Sequence, residues 1–250
     1  KPEIIIHLAA QPGVRDSLEN PRAYISSNIN AFFNVLEVSR ILKINKLIYA
    51  SSSSVYGNNN KTPYEENDNT EFPESLYAAT KKTNELLAHT YSKIYNMKII
   101  GLRFFTVYGP YGRPDMATWS FTNNLFKNKK IDIYNNGNLF RDFTYIDDIV
   151  EGINGAIKYR FKTKKITHTV FNLGNNRPVK LSQFIKILEK ITKLKFKRKL
   201  KPMQLGDVYK TMASIKKSKK NLNFYPKTNL EKGLKLWVEW FLKNKNKLKI

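Results

Sequence analysis

The stretch Lys46-Leu47-Ile48-Tyr49-Ala50 is an apolar run that empties into Ser51-Ser52-Ser53-Ser54-Val55-Tyr56-Gly57. A run of that length ending in a polar, glycine-closed turn reads as a buried strand that delivers a loop to one end of a sheet. A second such run, Lys98-Ile99-Ile100-Gly101-Leu102-Arg103-Phe104-Phe105, reads the same way. Between them, Tyr77 to about Tyr95 carries Leu86, Leu87, Thr90, Tyr91 and Ile94 at helical spacing. Upstream, Ile4-Ile5-Ile6-His7-Leu8 opens a strand, and Pro21 to about Ile44 is a helix with Ala31, Phe32, Val35, Leu36, Val38 and Leu42 on its apolar face. Strand, helix, strand, helix, strand is the rhythm of a parallel α/β sheet.

After Gly109 the pattern breaks into Pro110, Gly112 and Pro114. A helix is expected from about Asp115 to Asn128, then a strand at Ile131-Asp132-Ile133-Tyr134 and a turn at Asn135-Asn136-Gly137. Such a turn predicts that Arg141 to Phe143 pairs back as a hairpin. Further expected elements are a helix at 145–159, a strand at 170–173, a helix at 181–192 and a last helix at 229–245. The last one presents Leu230, Leu234, Trp237, Val238 and Phe241. No internal repeat or flexible linker interrupts the chain.

Ser52, Tyr77 and Lys81 carry the chemistry. Tyr77 and Lys81 are four apart on an expected helix, so phenol and ammonium share a face. A nearby cation favours the phenolate and is expected to lower the Tyr77 pKa. A serine hydroxyl beside it can hold a substrate oxygen. These are the parts for moving a proton on and off an alcohol while its carbon exchanges a hydride. A Tyr-x-x-x-Lys pair alone is common, and a serine run alone is usually a solvated loop. Together, in order and at element edges, they carry more weight.

Beyond this trio, the chain resembles the extended short-chain dehydrogenases/reductases acting on nucleotide sugars, and most of all the UDP-glucuronate 4-epimerases. The resemblance is carried by His7-Leu8-Ala9-Ala10-Gln11, Tyr49 through Gly57, Ser75 through Lys81, Gly101 through Pro110, Gly112 through Met116, and Arg141 through Asp148. It implies a Rossmann-type doubly wound parallel sheet with a smaller, interleaved α/β lobe that binds the nucleotide sugar. The implied division is 1–106 with 143–174 for NAD, and 107–142 with 175–250 for the sugar nucleotide. It implies Ser52, Tyr77 and Lys81 as catalytic residues. Ala9, Ala10, Gln11, Ser51, Tyr77, Lys81 and Phe104 would contact NAD. Ser52, Ser53, Thr106, Arg113, Arg141 and Asp207 would contact a UDP-sugar. A homodimer through the helices near 21–44 and 77–95, and a cytoplasmic location, are implied as well.

Dinucleotide folds of this kind open with a glycine-rich turn that cradles the pyrophosphate. No Gly-x-x-Gly-x-x-Gly occurs here. In the family Ile4–Ala10 is an interior strand, so the resemblance implies a truncated sheet and a chain that is a fragment. Such a fragment is expected to hold NAD poorly, since the adenosine-diphosphate half of its site is missing.

Two positions narrow the reaction. Related dehydratases and decarboxylases carry a glutamate where Ser54 stands, and serine cannot act as a carboxylate base. Thr106 stands where the UDP-galactose enzymes have asparagine. Its smaller side chain would leave room for a sugar carboxylate, which prefers several donors once out of water. As a residue it also simply suits a strand end. Arg141 matches a diphosphate-binding arginine, and the guanidinium suits forked phosphate contacts; otherwise it is a hairpin surface charge. Asp207 matches a ribose-binding position in Gly206-Asp207-Val208, although Tyr209-Lys210 departs from the family's small residues. The implied reaction is reversible C4 epimerisation of UDP-glucuronate to UDP-galacturonate. Alternatives are epimerisation of another UDP-hexose (UDP-N-acetylglucosamine or UDP-glucose type), or an inactive truncated fragment.

Composition excludes some classes. There is no cysteine among 250 residues, hence no disulfide framework or thiolate metal site. His7, His89 and His168 are too dispersed for a metal site. No apolar run reaches bilayer-spanning length. The net charge of +24 is spread over scattered lysines, densest at 193–201 and 216–220, with no nucleic-acid motif beside them. Nucleic-acid binding is therefore not expected; attraction of a substrate bearing diphosphate and carboxylate is.

Overall fold

The computed structural model describes residues 2–59, 61–163, 167–203, 207–245 and 247. Its strands are β1 (Ile4–His7), β2 (Lys46–Ser52), β3 (Ile99–Phe104), β4 (Thr106–Tyr108), β5 (Lys130–Tyr134), β6 (Phe140–Tyr145), β7 (His168–Leu173), β8 (Pro178–Lys180) and β9 (Lys197–Lys201). Its α-helices are α1 (Asp16–Glu19), α2 (Pro21–Tyr24), α3 (Ala31–Ile41), α4 (Leu76–Tyr95), α5 (Ala117–Phe126), α6 (Ile146–Lys158), α7 (Leu181–Thr192), α8 (Lys216–Leu222) and α9 (Leu230–Asn244).

Four parallel strands in the order β1-β2-β3-β7 form the main sheet. The central strands β2 and β3 carry the apolar runs Leu47–Ala50 and Ile99–Leu102 because both faces are covered. On one face Phe32 and Leu36 of α3 and Ala88 of α4 pack on Leu47, Tyr49 and Ile99. On the other, Ile149 and Ala156 of α6, with Leu222 and Phe224 at the end of α8, pack on Ile48, Ile100, Leu102 and Phe171. This is the expected doubly wound layering. β1, expected as an interior strand, pairs among the described residues with β2 alone, and Ile6 and Leu8 are exposed.

A second core fills the smaller lobe, where Trp119 of α5, Phe184 of α7 and Trp237 of α9 meet Phe143 and Tyr145 of β6. Here the expected hairpin is wrong. β5 pairs in parallel with β9, and β6 pairs with β4 and β8. Asn135, Asn136 and Gly137 all take positive φ, forming a single 3-10 turn rather than a two-residue reversal. β9 was hidden in the sequence as part of a lysine-rich run. Its Lys-Arg-Lys-Leu-Lys is almost wholly exposed, so no apolar alternation betrays it. α8 was hidden the same way, in the run at 216–220.

The helix expected at 21–44 is not continuous α. A six-residue π-helical segment, Ile25–Asn30, joins α2 to α3. Such segments frequently mark functional sites, and this one carries Asn28 inward.

Candidate active site

β2 runs out at Ser52, and the Ser52 side chain caps the following 3-10 turn by accepting from the Ser54 amide at 3.2 Å. The turn closes at Gly57 with φ +56, where a Cβ would strike the Phe72 carbonyl. The position needs glycine on both counts. α4 begins with Ser75 as its N-cap, its hydroxyl accepting from the Ala78 amide at 3.2 Å. That cap puts Tyr77 in the first turn of the helix and Lys81 one turn later, on the same face. Lys81 is buried and its Nζ donates to the Ala50 carbonyl at 3.0 Å, tying α4 to the end of β2. The Tyr77 ring lies 6.0 Å from that Nζ. The three expected catalytic residues are thus brought together at the carboxyl end of the sheet, where open α/β sheets bind their ligands.

The electrostatics differ from expectation. Burial pushes the Tyr77 phenol up; the Ser52 hydroxyl, as a hydrogen-bond partner, and then the Arg113 guanidinium pull it back. Lys81 is not among these influences. Its own pKa is lowered to about 8 by burial. The expectation that Lys81 lowers the Tyr77 pKa is corrected accordingly: desolvation dominates both groups.

A cavity of about 680 Å³ opens beside the trio. It is lined by Thr106, Arg113, Arg141 and Asp207, among others, so four expected substrate contacts border one cavity. Ser52, Ser53, Tyr77 and Lys81 are not in that lining; they lie past its Arg113 end. Arg141 is no surface charge. Its NH1 donates to the Val208 carbonyl at 2.6 Å, and burial lowers its pKa. Asp207 sits between two cations, 3.5 Å from Arg141 and 3.8 Å from Arg15. Gly206, the preceding residue of that motif, lies outside the described residues. Arg113 pairs with Asp115 through two bonds of 2.9 and 2.6 Å.

Of the expected cofactor contacts, Ala9 is exposed and Ala10 half-buried just past β1. Lys81 uses one of its three N–H donors on Ala50. These fit one end of a dinucleotide. Phe104 ends β3 opposite Ser52 and packs against the core. The Ser51 side chain does not fit: it is buried and donates to Glu85 at 2.6 Å, away from the open end. The Gln11 side chain donates to Asp16 at 3.1 Å, while its backbone exchanges two bonds with Asn28, of 2.7 and 3.0 Å. Asn28 also donates to Thr80 at 3.0 Å, and Thr80 to the Tyr77 carbonyl at 2.8 Å. Asn28 thus pins the loop after β1 to the turn carrying Tyr77. Sequence reasoning missed it, although a signal was available. Asn28, Phe32 and Leu36 fall on one helix face, so a polar residue stood in an apolar stripe. Arg15, which also lies 5.0 Å over the Tyr134 ring, carried no such signal. Among the described residues no cluster could hold a metal ion.

Residues 1–174 match the NAD dependent epimerase/dehydratase family. The chain belongs to that family. An uncharacterized protein of Methanocaldococcus jannaschii is 53% identical over 244 residues, covering 98% of this chain and 73% of its own length. UDP-glucuronate 4-epimerase 5 of Arabidopsis thaliana is 47% identical over 251 residues, 95% of this chain and 58% of its own. Among solved structures, the UDP-glucuronic acid 4-epimerase from Bacillus cereus in complex with UDP-glucuronic acid and NAD matches with a TM-score of 0.90 at 33% identity, covering 96% of this chain and 76% of that one. The chain therefore spans about three-quarters of two of these proteins and less than two thirds of the plant enzyme.

Proposed function

We propose that this chain interconverts UDP-glucuronate and UDP-galacturonate at C4, with NAD as resident cofactor. The convergence of Ser52, Tyr77 and Lys81 beside a cavity lined by Thr106, Arg113 and Arg141 carries this reading, and the named activities of its relatives support it. NAD, when bound, would supply reversible hydride acceptance for the sugar's C4. Tyr77 removes the proton from the C4 hydroxyl and later returns it. Ser52 holds that oxygen in line. Lys81 keeps its ammonium beside the phenol and offers its remaining donors to the cofactor's ribose. Arg141 binds the diphosphate, with Asp207 holding its guanidinium on one side and reaching the nucleotide ribose. Thr106 and Ser53 receive the sugar carboxylate. No acid stands at Ser54 to support elimination; its amide is bound to Ser52 instead. Net isomerisation without net redox follows.

Exposed Ile25, Phe33, Ile41, Leu86 and Ile94 on the helices near 21–44 and 77–95 support a homodimer through those faces. The packing supports a two-lobe division, with residues 213–224 moved to the sheet side and Phe143 and Tyr145 to the core of the smaller lobe. No helix among the described residues is long and apolar enough to cross a membrane, and the lack of cysteine suits a reducing compartment such as the cytoplasm.

Proton NMR of UDP-glucuronate incubated with the protein and NAD tests the reaction. Appearance of UDP-galacturonate, abolished by Tyr77→Phe, is expected. An unchanged spectrum from folded, NAD-loaded protein would refute the substrate assignment.

A further inference from the structure

Behind the catalytic trio lies a buried ion pair that the mechanism does not use. Glu85 of α4 and Arg103 of β3 are 5% and 3% exposed. Arg103 Nε and NH2 donate to the two Glu85 oxygens at 2.8 Å each, a forked geometry that fixes distance and orientation together. Ser51 adds a third bond to Glu85 at 2.6 Å. Ser51 and Arg103 are direct cross-strand partners. One carboxylate therefore ties α4, β2 and β3 at a single point. That point is one residue before Ser52 and one helical turn after Lys81.

The knot extends to the far side of the serine turn. The Arg103 guanidinium lies 4.8 Å over the ring of Tyr56, which ends that turn, and its NH1 donates to the Glu66 carbonyl at 3.1 Å. Ser52 is thus bracketed by contacts to Arg103 or its partner from Ser51 and from Tyr56. A buried ion pair is a poor source of net stability, because desolvation consumes most of its attraction. An apolar pair would fill the same space at little net cost from the charges themselves, the loss being the partners of Ser51 and of the Glu66 carbonyl. It would not fix the helix against sliding or turning by an ångström, and misplacement on that scale costs on the order of 100-fold in rate.

We propose that Glu85, through Arg103 and Ser51, is the positioning residue that sets the register of α4 on the sheet and so the Ser52–Tyr77–Lys81 geometry. For its kinetic part this rests on the epimerase reading. The test compares three full-length proteins: wild type, Ser51→Ala, and Glu85→Leu with Arg103→Met, which replaces both charges by apolar side chains. Thermal midpoint, kcat and KM for UDP-glucuronate, and the Lys81 amine pKa by pH-dependent competitive acylation are measured in each. The double variant is expected to stay folded with a thermal midpoint within several degrees of wild type, and to lose on the order of 100-fold in kcat with KM little changed. Its Lys81 pKa is expected to rise from about 8 towards that of a solvated lysine as the amine leaves Ala50. Wild-type kcat and Lys81 pKa in a folded double variant would overturn the proposal. Should that variant fail to fold, Ser51→Ala decides. It loses one bond only, and a drop of about threefold to tenfold in kcat is expected, against none if Ser51 is mere packing. A wild type without epimerase activity would refute the functional reading alone, since the Lys81 pKa still reads the register, in the double variant or, with a smaller rise, in Ser51→Ala.

Discussion

Replacing Lys81 by methionine should change how the protein's stability depends on pH. In the native state Lys81 is 4% exposed, with the Ala50 carbonyl as hydrogen-bond acceptor for its ammonium and, among the described residues, no carboxylate paired to it. Burial lowers its pKa from 10.5 to about 8. Between those values the unfolded chain binds the proton and the native state does not. Stability contributed by this residue therefore rises with pH through that window, and below about 8 the charged amine is a standing penalty. Integrated from pH 7 to pH 10, the two values give a gain on the order of 2–3 kcal/mol. The other titrating groups are common to the variant and cancel in the difference; His7, whose pKa Lys81 helps to lower from 6.5, titrates below this window. Urea unfolding of wild type and Lys81→Met at both pH values measures it. Wild type minus variant should become more favourable to wild type by roughly that amount as pH rises. The variant should also lose C4 epimerase activity, so stability and function separate at one residue. Parallel pH profiles would mean that Lys81 keeps its solution pKa in the native state, and the buried, charge-unpaired placement of its amine would be refuted.

Two further outcomes follow from the cavity and the helix faces. Thr106→Asn should erode the preference for UDP-glucuronate over UDP-glucose by about tenfold or more in kcat/KM, since a bulkier amide fills the space given to the carboxylate; full retained preference in competition assays counts against that role. Leu86→Glu with Ile94→Glu places charge on the exposed apolar face of α4 and should yield a folded monomer by light scattering. A wild type already monomeric at micromolar concentration would dismiss the dimer.

The main sheet was legible because its signal is local. Runs such as 46–50 and 98–105 are largely buried, and α4 starts and stops at sequence-visible residues: Ser75 caps it, and Asn96 ends it in the left-handed conformation. What failed were pairings decided at a distance. β5 takes β9 as its partner across more than sixty residues, while the Asn-Asn-Gly turn between β5 and β6 suggested a local hairpin. β9 itself presents lysines to solvent and borrows its strand conformation from β5. The site divides the same way. Ser52, Tyr77 and Lys81 were found because residue type and helical spacing put them on one face. Asn28 and Glu85 were passed over because a buried polar side chain is recognisable only by the partner it finds, Gln11 and Thr80 for one, Arg103 and Ser51 for the other.

Protonation was the least legible of all. From sequence, one turn of helix between Tyr77 and Lys81 suggests that the cation acidifies the phenol. In the folded protein both groups are taken from water, which drives them in opposite directions: the phenol above its usual value near 10, the amine down to about 8. The amine therefore titrates first as pH rises, and a deprotonated Lys81 exerts no pull on the phenol at the pH where that pull would be needed. The Arg113 guanidinium, too, favours the Tyr77 phenolate. Lys81 can support the phenolate only while it is itself protonated, near neutral pH and below. With Tyr77 needed as phenolate and Lys81 as ammonium, activity should rise with pH up to about 8, the value of the amine, and level off above it, since each further gain in phenolate is matched by loss of the ammonium.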